Sequence, residues 1–145
     1  MTPSMSAPTT AAPAAAPTPA ATAFGLSRIG QIAIRVRDVE RATAFYRDTL
    51  GMPFLFSAPN LAFFQNGDVM LMLSPAEAAE FDHPSSIVYY LVDDIDAAYG
   101  TLTGRGVRFR DEPHVVHRAP DYDLWMSFFQ DQDDNVLAIM CRKVK

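Results

Sequence analysis

The sequence predicts an α+β fold in which a β-α-β-β-β unit occurs twice. The first observation concerns residues 31–52, in which apolar residues first alternate as in a strand and then recur at helical spacing. The second is that the chain from Ile87 repeats this order of strand, cap, helix and closing glycine. The third is Asn66-Gly67, a hairpin signal between two apolar runs. Together they indicate a single domain made of two βαβββ modules; the domain is predicted at 26–143 and the modules at 26–74 and 86–142.

The first module is predicted to open with a strand at 31–36, because its apolar residues fall on alternate positions. Asp38 then occupies the position of a helix N-cap, where its carboxylate can accept hydrogen bonds from free backbone N–H groups. Gly51 is expected to end the helix, since glycine adopts the left-handed conformation at low cost. The remaining strands of the module are predicted at 53–56, 61–64 and 69–73.

The second module repeats this plan. A strand leads to a capping Asp94 and to a helix that ends near Gly106. Its further strands are predicted at 107–109, 124–129 and 136–140. Residues 110–123, which are rich in His, Pro and Asp, separate the first two of these strands. Eight strands and two helices are therefore expected in all.

Composition excludes several classes of protein. The formal net charge of -5 and the lack of a Lys/Arg cluster argue against a nucleic-acid partner. No apolar run is long enough to span a bilayer, so no membrane partner is expected. Cys141 is the single cysteine, which excludes an internal disulfide and favours a reducing compartment. A cytoplasmic protein is the resulting expectation.

Residues 1–25 form a tail rich in Ala, Pro and Thr. The prolines remove helix hydrogen bonds, and the small side chains bury little apolar surface. The tail lacks the basic start and the unbroken apolar run of a signal peptide. We therefore expect it to be disordered.

Two motifs resemble those of a known family. Val36-Arg37-Asp38 leads into AFYRDTLG at 44–51, and FFQDQDDN stands at 128–135. The second is similar to the family turn F-x-x-D-P-D-G-N, with Gln132 and Asp134 in place of Pro and Gly. On these motifs and the repeat, the chain resembles the vicinal-oxygen-chelate superfamily, which includes glyoxalase I, extradiol dioxygenases and bleomycin-resistance proteins. The resemblance implies a cup-shaped mixed sheet with helices outside, a ligand pocket inside, and a homodimer.

The resemblance also implies where metal ligands would lie in metal-dependent members: at Gln31, Leu71, Ile87 and Ala138. Three of these four side chains cannot donate an electron pair, and one amide oxygen does not make a divalent-metal site. A register shift by one position does not help, because it brings in only Met70, Met72, Leu137 and Ile139. We therefore predict no cofactor, and no divalent metal at the inherited site.

His114 and His117, with Asp121 and Asp123, form the most polar concentration of the chain. One interpretation is that this segment folds over the cup mouth, so that His117, with His114, acts as an acid–base group. A relocated metal at Gln31, His114 and His117 is a variant of the same interpretation. The other interpretation is a solvated loop in which the aspartates cap turns.

Strand alternation predicts that Gln31, Arg35 and Tyr89 face the cup. Arg35 can bind a carboxylate or phosphate, or form a salt bridge at the rim. Trp125 and Phe128 are either core or pocket wall, and the resemblance suggests Phe54, Phe56 or Trp125 for a subunit interface. The residues predicted to line the ligand are Gln31, Arg35, Leu71, Ile87, Tyr89, Trp125, Phe128 and Ala138.

A cup whose ligand positions carry Leu, Ile and Ala suits a small apolar or aromatic molecule. The first functional hypothesis is therefore a metal-free binding protein. The alternative is a glyoxalase-like lyase or isomerase that uses the histidines or the relocated metal. An oxygenase would need two histidines and a carboxylate at the inherited positions, and the sequence does not supply them there.

Overall fold

The structure is a computed structural model that describes residues 24–145. Residues 1–23, which make up nearly all of the tail expected to be disordered, lie outside the described part. Among the described residues, no helix has the length and apolarity needed to cross a membrane.

The first module forms a four-stranded sheet. Strand β1 spans Gln31–Arg35 and leads to helix α1, Val39–Ala44, which continues as a π-helical turn at Phe45–Thr49. The other strands are β2 Phe54–Ala58, β3 Leu61–Asn66 and β4 Val69–Ser74. The strand order is β1-β4-β3-β2, with β1 parallel to β4 and the other pairs antiparallel. The predicted strand–helix–three-strand order of the first module is confirmed.

Local chemistry explains the turns of this module. The Asp38 carboxylate accepts hydrogen bonds from the backbone N–H groups of Glu40 and Arg41 at 3.0 and 3.2 Å, so it caps α1 as predicted. Gly51 and Gly67 have φ values of +71° and +57°, which glycine adopts without a Cβ clash. They end the helix region and turn the β3–β4 hairpin.

The second module forms the other sheet. Its elements are β5 Val88–Leu91, α2 Ile95–Gly104, β6 Arg108–Phe109, β7 His114–Arg118, β8 Tyr122–Gln130 and β9 Val136–Val144. The strand order is β5-β9-β8-β6, and β7 also pairs with β8. Because β6 and β7 occupy the same edge of β8, they act as one edge strand that is broken at 110–113. The second module thus repeats the topology of the first, and the α+β class with two βαβββ modules is confirmed.

The expectation of a loop throughout 110–123 is wrong. The structure forms β7 within this segment, and β8 begins at Tyr122 instead of Leu124. The nine-residue β8 offers backbone hydrogen bonds to a neighbour along its whole length, and Val115 pairs opposite Trp125. This long-range pairing stabilises a strand that the polar local sequence does not indicate. Within residues 24–145 the fold accordingly has nine strands.

The core lies between the helices and one face of each sheet, and it runs through both modules. Tyr46 and Met52 from the first module join Ile95 and Phe129 from the second in one buried cluster. Cys141 is buried in the same cluster, as expected for a structural thiol. The helices therefore cover only one side of each sheet.

The turn between β8 and β9 connects the modules through side chains. Asp131 is buried, and its carboxylate accepts hydrogen bonds from the Tyr46 hydroxyl at 2.9 Å and from the Asn135 amide at 2.8 Å. It also accepts the backbone N–H groups of Asp133 and Asn135 at 2.8 and 2.9 Å. Asp134 adopts φ +63°, so an aspartate takes the left-handed position where the family motif has glycine.

The same turn holds the β1–α1 junction. The Asp133 carboxylate accepts the backbone N–H of Arg37 at 2.9 Å, and the Asn135 amide donates to the Arg35 carbonyl oxygen at 3.0 Å. The family motif at 128–135 thus has a structural role in this chain, because it fastens the second module to the first.

Candidate functional site

The side of each sheet that carries no helix, here called the open face, is the surface available to a ligand. On the first sheet the two aromatic side chains Phe56 and Phe63 stack there, with ring centroids 4.7 Å apart. Strand register places the following side chains on this face: Gln31, Ala33, Arg35, Phe56, Phe63, Met70, Met72 and Ser74. The first open face is therefore mainly apolar, with one cation.

The open face of the second sheet is also apolar. Tyr89 lies opposite Ala138, and its ring meets that of Phe128 edge to face at a centroid distance of 5.7 Å. Leu91 continues this surface beside Met140. Tyr89 and Leu91 are 44% and 62% exposed, so much of this apolar surface remains in contact with solvent.

The connector between the modules, residues 75–87, packs over one end of the first open face. The connector and the sheet together line a partly open cavity of about 380 Å³. The floor of the cavity is formed by the first sheet, and its wall by the connector. The lining residues are Ala33, Ile34, Arg35, Met72, Ser74, Pro75, Ala76, Glu77, Phe81, His83, Ser85 and Ser86.

Arg35 is the cation of this cavity. Its guanidinium Nη1 lies 2.8 Å from the Asp82 carboxylate, and its backbone N–H donates to the Ser85 hydroxyl at 3.0 Å. The Arg35 side chain is 24% exposed, whereas that of Asp82 is 61% exposed. Both contacts hold the connector against β1, and the ion pair places a compensated positive charge beside an apolar floor.

Comparison with known proteins identifies the family. The family model described as Glyoxalase/Bleomycin resistance protein/Dioxygenase superfamily matches residues 28–139. The chain belongs to this superfamily. A curated relative, the uncharacterized protein YraH of Bacillus subtilis (strain 168), is 27% identical over 123 residues, which cover 75% of this chain and 94% of that protein.

Solved structures of superfamily members share the fold. A superfamily member from Sphaerobacter thermophilus has a TM-score of 0.68 at 25% identity, covering 80% of this chain and 98% of that one. The antibiotic binding protein TnmS3 from Streptomyces has a TM-score of 0.68 at 24% identity, covering 83% and 100%. A lactoylglutathione lyase from Agrobacterium tumefaciens has a TM-score of 0.63 at 23% identity, covering 81% and 95%. One fold thus carries both binding and catalysis, so function has to be argued from side chains.

Strand register places five of the residues that the sequence predicts for the site on the open faces. Gln31 and Arg35 lie on the first sheet, while Tyr89, Phe128 and Ala138 lie on the second. Ile87, which lies just before β5, is 44% exposed. Their placement agrees with strand alternation. Ala138, however, is 0% exposed between its strand partners Tyr89 and Phe128, so it lies beneath the surface rather than on it. Contact of the other residues with a ligand stays a prediction.

Leu71 is placed differently. It is 2% exposed and packs in the core, opposite Ile32 and Phe64 on the helix side of the sheet. The expectation that Leu71 lines the ligand is therefore corrected: its strand neighbours Met70 and Met72 lie on the open face instead. The position that the resemblance implies on β4 is thus one residue away from the side chains on the open face of this strand.

Trp125 also lies on the helix side, opposite Cys141. The Lys143 ammonium lies 3.9 Å from the centroid of its indole ring, a cation–π contact outside the cup. Phe54, suggested for an interface, packs its ring against buried Phe64 at a centroid distance of 5.4 Å. Both aromatic residues thus belong to the core side, and the expectation that Trp125 lines the ligand is corrected.

The histidines lie on the outer strand β7, on the open-face side of the second sheet. His114 pairs opposite Met126 and His117 opposite Leu124. His114 Nδ1 lies 2.9 Å from the Glu112 carbonyl oxygen. The segment therefore forms a sheet edge rather than a flap over the mouth or a solvated loop.

The carboxylates predicted beside the histidines are engaged elsewhere or exposed. Asp123 pairs with Arg118 at 3.0 Å and with Lys145 at 3.2 Å, and Asp121 is exposed in the turn before β8. Gln31 belongs to the other sheet. Within residues 24–145, no group of three or more His, Cys, Asp and Glu side chains is arranged to hold a metal ion.

The positions that the resemblance implies for metal ligands carry few side chains with an oxygen or nitrogen donor. The Gln31 amide nitrogen lies 3.7 Å from the thioether sulfur of Met72, and Met70 is the strand partner of Gln31. On the second sheet the corresponding surface carries Tyr89, Ala138 and Phe128. Divalent ions other than the softest prefer several oxygen or nitrogen donors, and these side chains supply few.

Sequence reasoning missed the contribution of the connector. Asp82, Ser85 and Phe81 look like ordinary surface residues in the sequence, yet they hold or line the cavity above Arg35. No local pattern marks them, because their role depends on how the connector returns over β1.

Proposed function

We propose that this chain binds a small, neutral, apolar or aromatic molecule in the cavity between the first open face and the connector. The observation that carries the proposal is the composition of this cavity, in which Ala33 and Met72 form an apolar floor beside Arg35. A volume of about 380 Å³ is sufficient for a two-ring molecule. The exposed ring of Phe81 at the wall offers a surface on which an aromatic ligand can stack.

The charges around the cavity favour a neutral ligand. Asp82 already compensates the Arg35 guanidinium, and Glu77 adds a carboxylate to the wall. An anionic ligand would have to displace Asp82 and approach Glu77, which costs electrostatic free energy. Arg35 can still donate hydrogen bonds through its remaining N–H groups, so it would orient a polar substituent of the ligand.

The proposal involves no metal ion. Gln31 is the one side chain at the four inherited positions with an oxygen donor, and its neighbours on the sheet are methionines. Removal of divalent ions with a chelator should therefore leave ligand affinity unchanged. An affinity that falls on chelation and returns with added metal would contradict this part of the proposal.

The proposal also includes a homodimer in which a second copy covers the second open face. Ile87, Tyr89 and Leu91 are 44%, 44% and 62% exposed, although all three are large and apolar or aromatic. Phe56 is 48% exposed on the first sheet. Contiguous apolar side chains of this kind are typical of a subunit interface.

The alternative function is a lyase or isomerase that uses His117 or His114. It is supported by the position of both histidines on the open-face side of the second sheet. A general base contributes rate by orders of magnitude. With glyoxalase-type substrates, an enzyme should therefore lose its turnover in His117→Ala, whereas a binding protein should show no turnover and unchanged ligand affinity.

The central experiment is titration of the full chain with 2-naphthol and with 2-naphthoate, followed by probe fluorescence. Saturable binding of 2-naphthol, tighter than that of the carboxylate, is expected. Ala33→Trp should fill the cavity and weaken binding by at least an order of magnitude, while Ala44→Trp, on the exposed side of α1, should leave it unchanged. Binding that survives in Ala33→Trp would place the ligand elsewhere and overturn the proposal.

A further inference from the structure

The second open face carries a row of three side chains that the proposed cavity does not use. His114 on β7 pairs opposite Met126 on β8, and Met126 pairs opposite Met140 on β9. The two methionines lie on the open face because they alternate with Trp125 and Cys141, which belong to the core side. Side chains that pair directly across antiparallel strands have Cβ atoms about 4.5–5.5 Å apart. Met126 therefore lies within side-chain reach of both His114 and Met140.

The imidazole of His114 is held in the form that can bind a metal ion. Its Nδ1 lies 2.9 Å from the Glu112 carbonyl oxygen. A carbonyl oxygen only accepts hydrogen bonds, so Nδ1 carries a proton, and in the neutral ring Nε2 keeps its lone pair. Metal-binding histidines are commonly oriented by such a bond from the other ring nitrogen. The Asp111 carboxylate, 3.7 Å from the same nitrogen, adds negative charge near the ring.

Two thioether sulfurs and one imidazole nitrogen favour a soft metal ion. Thioethers suit Cu(I), whereas Zn²⁺ in proteins is bound by thiolates, imidazoles and carboxylates, and Mg²⁺ and Ca²⁺ take oxygen ligands. Methionine has three rotatable bonds, so the sulfur atoms of Met126 and Met140 can turn toward one ion above β8. The row of His114, Met126 and Met140 is therefore suited to Cu(I) and poorly suited to the common divalent ions.

The surroundings of the row also suit a soft monovalent ion. Leu91 lies beside Met140 on β5, and the rings of Tyr89 and Phe128 lie on the same face. Apolar side chains around a metal site limit the access of water to the ion. Arg142, two residues after Met140, holds its guanidinium 5.7 Å from the centroid of the Tyr122 ring. Because Tyr122 lies toward the far end of β8, the charge of Arg142 is directed away from the row.

We propose that His114, Met126 and Met140 bind one Cu(I) ion, with Nε2 and the two sulfur atoms as ligands. This site differs in charge, ligands and position from the divalent-metal site that the resemblance implies. It does not rest on the molecule proposed for the cavity of the first open face. A second copy over Tyr89 and Leu91 would shield the ion further from water without having to supply a ligand.

The test is an anaerobic titration of the full chain with the acetonitrile complex of Cu(I), followed by NMR of ¹³C-labelled methionine methyl groups. The methyl signals of Met126 and Met140 should shift together and saturate at one equivalent, while those of Met70 and Met72 stay in place. Shifts confined to Met70 and Met72, or to the methionines of the tail, would overturn the site. The same shifts at one equivalent of Zn²⁺ would overturn the choice of Cu(I).

Variants test each ligand. Met126→Leu and Met140→Leu keep an apolar side chain of similar size but remove the sulfur, so each should weaken Cu(I) binding by at least an order of magnitude. His114→Ala should do the same. The matched controls are Met70→Leu, which removes a thioether from the first open face, and His117→Ala, which removes an imidazole beyond the β-bulge of β7. Both controls should leave the affinity unchanged.

Two results of this series would contradict the assignment. Equal losses of Cu(I) affinity in Met126→Leu and Met70→Leu would show that the thioethers of the second open face have no special role. Equal losses in His114→Ala and His117→Ala would show that the ion does not lie in the row.

Discussion

At the scale of single residues, the buried Asp131 is one of the groups that join the two modules. Its buried carboxylate accepts from the Tyr46 hydroxyl, the Asn135 amide and two backbone N–H groups of its own turn. A buried carboxylate is tolerated only when hydrogen bonds replace the water it has lost. Three of these donors lie in the turn of Asp131 itself, and the fourth, the Tyr46 hydroxyl, comes from the first module, so one hydrogen bond of the buried carboxylate joins the two modules.

Asp131→Asn should therefore destabilise the protein by about 3 kcal/mol, because an amide presents an NH₂ group where the carboxylate accepted hydrogen bonds. The free energy of unfolding from urea titrations at fixed protein concentration measures the effect. Asp134→Asn is the matched control in the same turn. Its carboxylate is exposed and asparagine also tolerates positive φ, so a change below about 0.5 kcal/mol is expected there. If the free energy of unfolding fell by a similar amount in the two variants, the buried hydrogen bonds of Asp131 would not be the cause of the loss.

Two tyrosines make stability depend on alkaline pH. Burial, and then the Asp131 carboxylate, raise the pKa of Tyr46 well above its ordinary value, and the same causes raise the pKa of Tyr90 to about 12. Above about pH 10 the unfolded chain releases these protons while the folded chain retains them, so the free energy of unfolding falls as pH rises.

Each tyrosine should contribute a slope of about 1.4 kcal/mol per pH unit between pH 10 and 12. In urea titrations across this range, the free energy of unfolding should fall less steeply with pH for Tyr90→Phe than for the parent chain. The difference in slope should equal the contribution of one tyrosine proton. The effect should be absent near neutral pH, where both states hold the proton. If the free energy of unfolding fell equally steeply in the two proteins, Tyr90 would not be a source of the pH dependence.

At the scale of elements, the two modules begin their helices in the same way. Asp38 caps α1, and Asp94 caps α2 by accepting the backbone N–H of Ala97 at 3.0 Å. Asp38→Ala and Asp94→Ala should each lower the free energy of unfolding by about 1 kcal/mol. Glu40→Ala, in the first turn but without a capping bond, is the control and should change it by less than about 0.5 kcal/mol. A loss in Glu40→Ala equal to that in Asp38→Ala would show that charge rather than capping matters.

Most elements follow from local sequence. The alternation of β1, the caps, Gly51 and the Asn66-Gly67 hairpin each have a local physical cause, and all are found in the structure. Two elements do not follow from local sequence: strand β7 and the π-helical turn at Phe45–Thr49. Strand β7 depends on its pairing with β8, a partner that lies further along the chain. The π-helical turn places the adjacent rings of Phe45 and Tyr46 together against the core, at a centroid distance of 5.7 Å.

The residues of the open faces could be predicted from the sequence only in part. Alternation within a strand places Arg35 and Tyr89 correctly, because their strands are short and regular. Leu71 is predicted for the ligand site from the resemblance and Trp125 from its residue type, and neither of these determines the face of a strand. The connector over Arg35 depends on the path of the chain in three dimensions, which no pattern in residues 75–87 encodes.

At the scale of the whole molecule, the proposed dimer should depend on the second open face. Leu91→Asp places a charge on the exposed apolar part of that surface, so it should weaken self-association by at least an order of magnitude in sedimentation equilibrium. Leu26→Asp, at an exposed residue outside both sheets, is the control and should leave association unchanged. Association that persists in Leu91→Asp would mean that copies meet through another surface.

The turn at 131–135 also bears on how the protein is synthesised. The hydrogen bonds from Arg37 to Asp133 and from Asn135 to Arg35 join residues 96 and 100 positions apart. A ribosome adds about 5–20 residues per second, so the first sheet, complete at Ser74, waits several seconds for these partners. During that time Tyr46 lacks its acceptor, and the shared core lacks its second half. The nascent first module is therefore the stage at which this chain is most open to aggregation, and a message truncated before codon 131 yields a product that cannot complete its core.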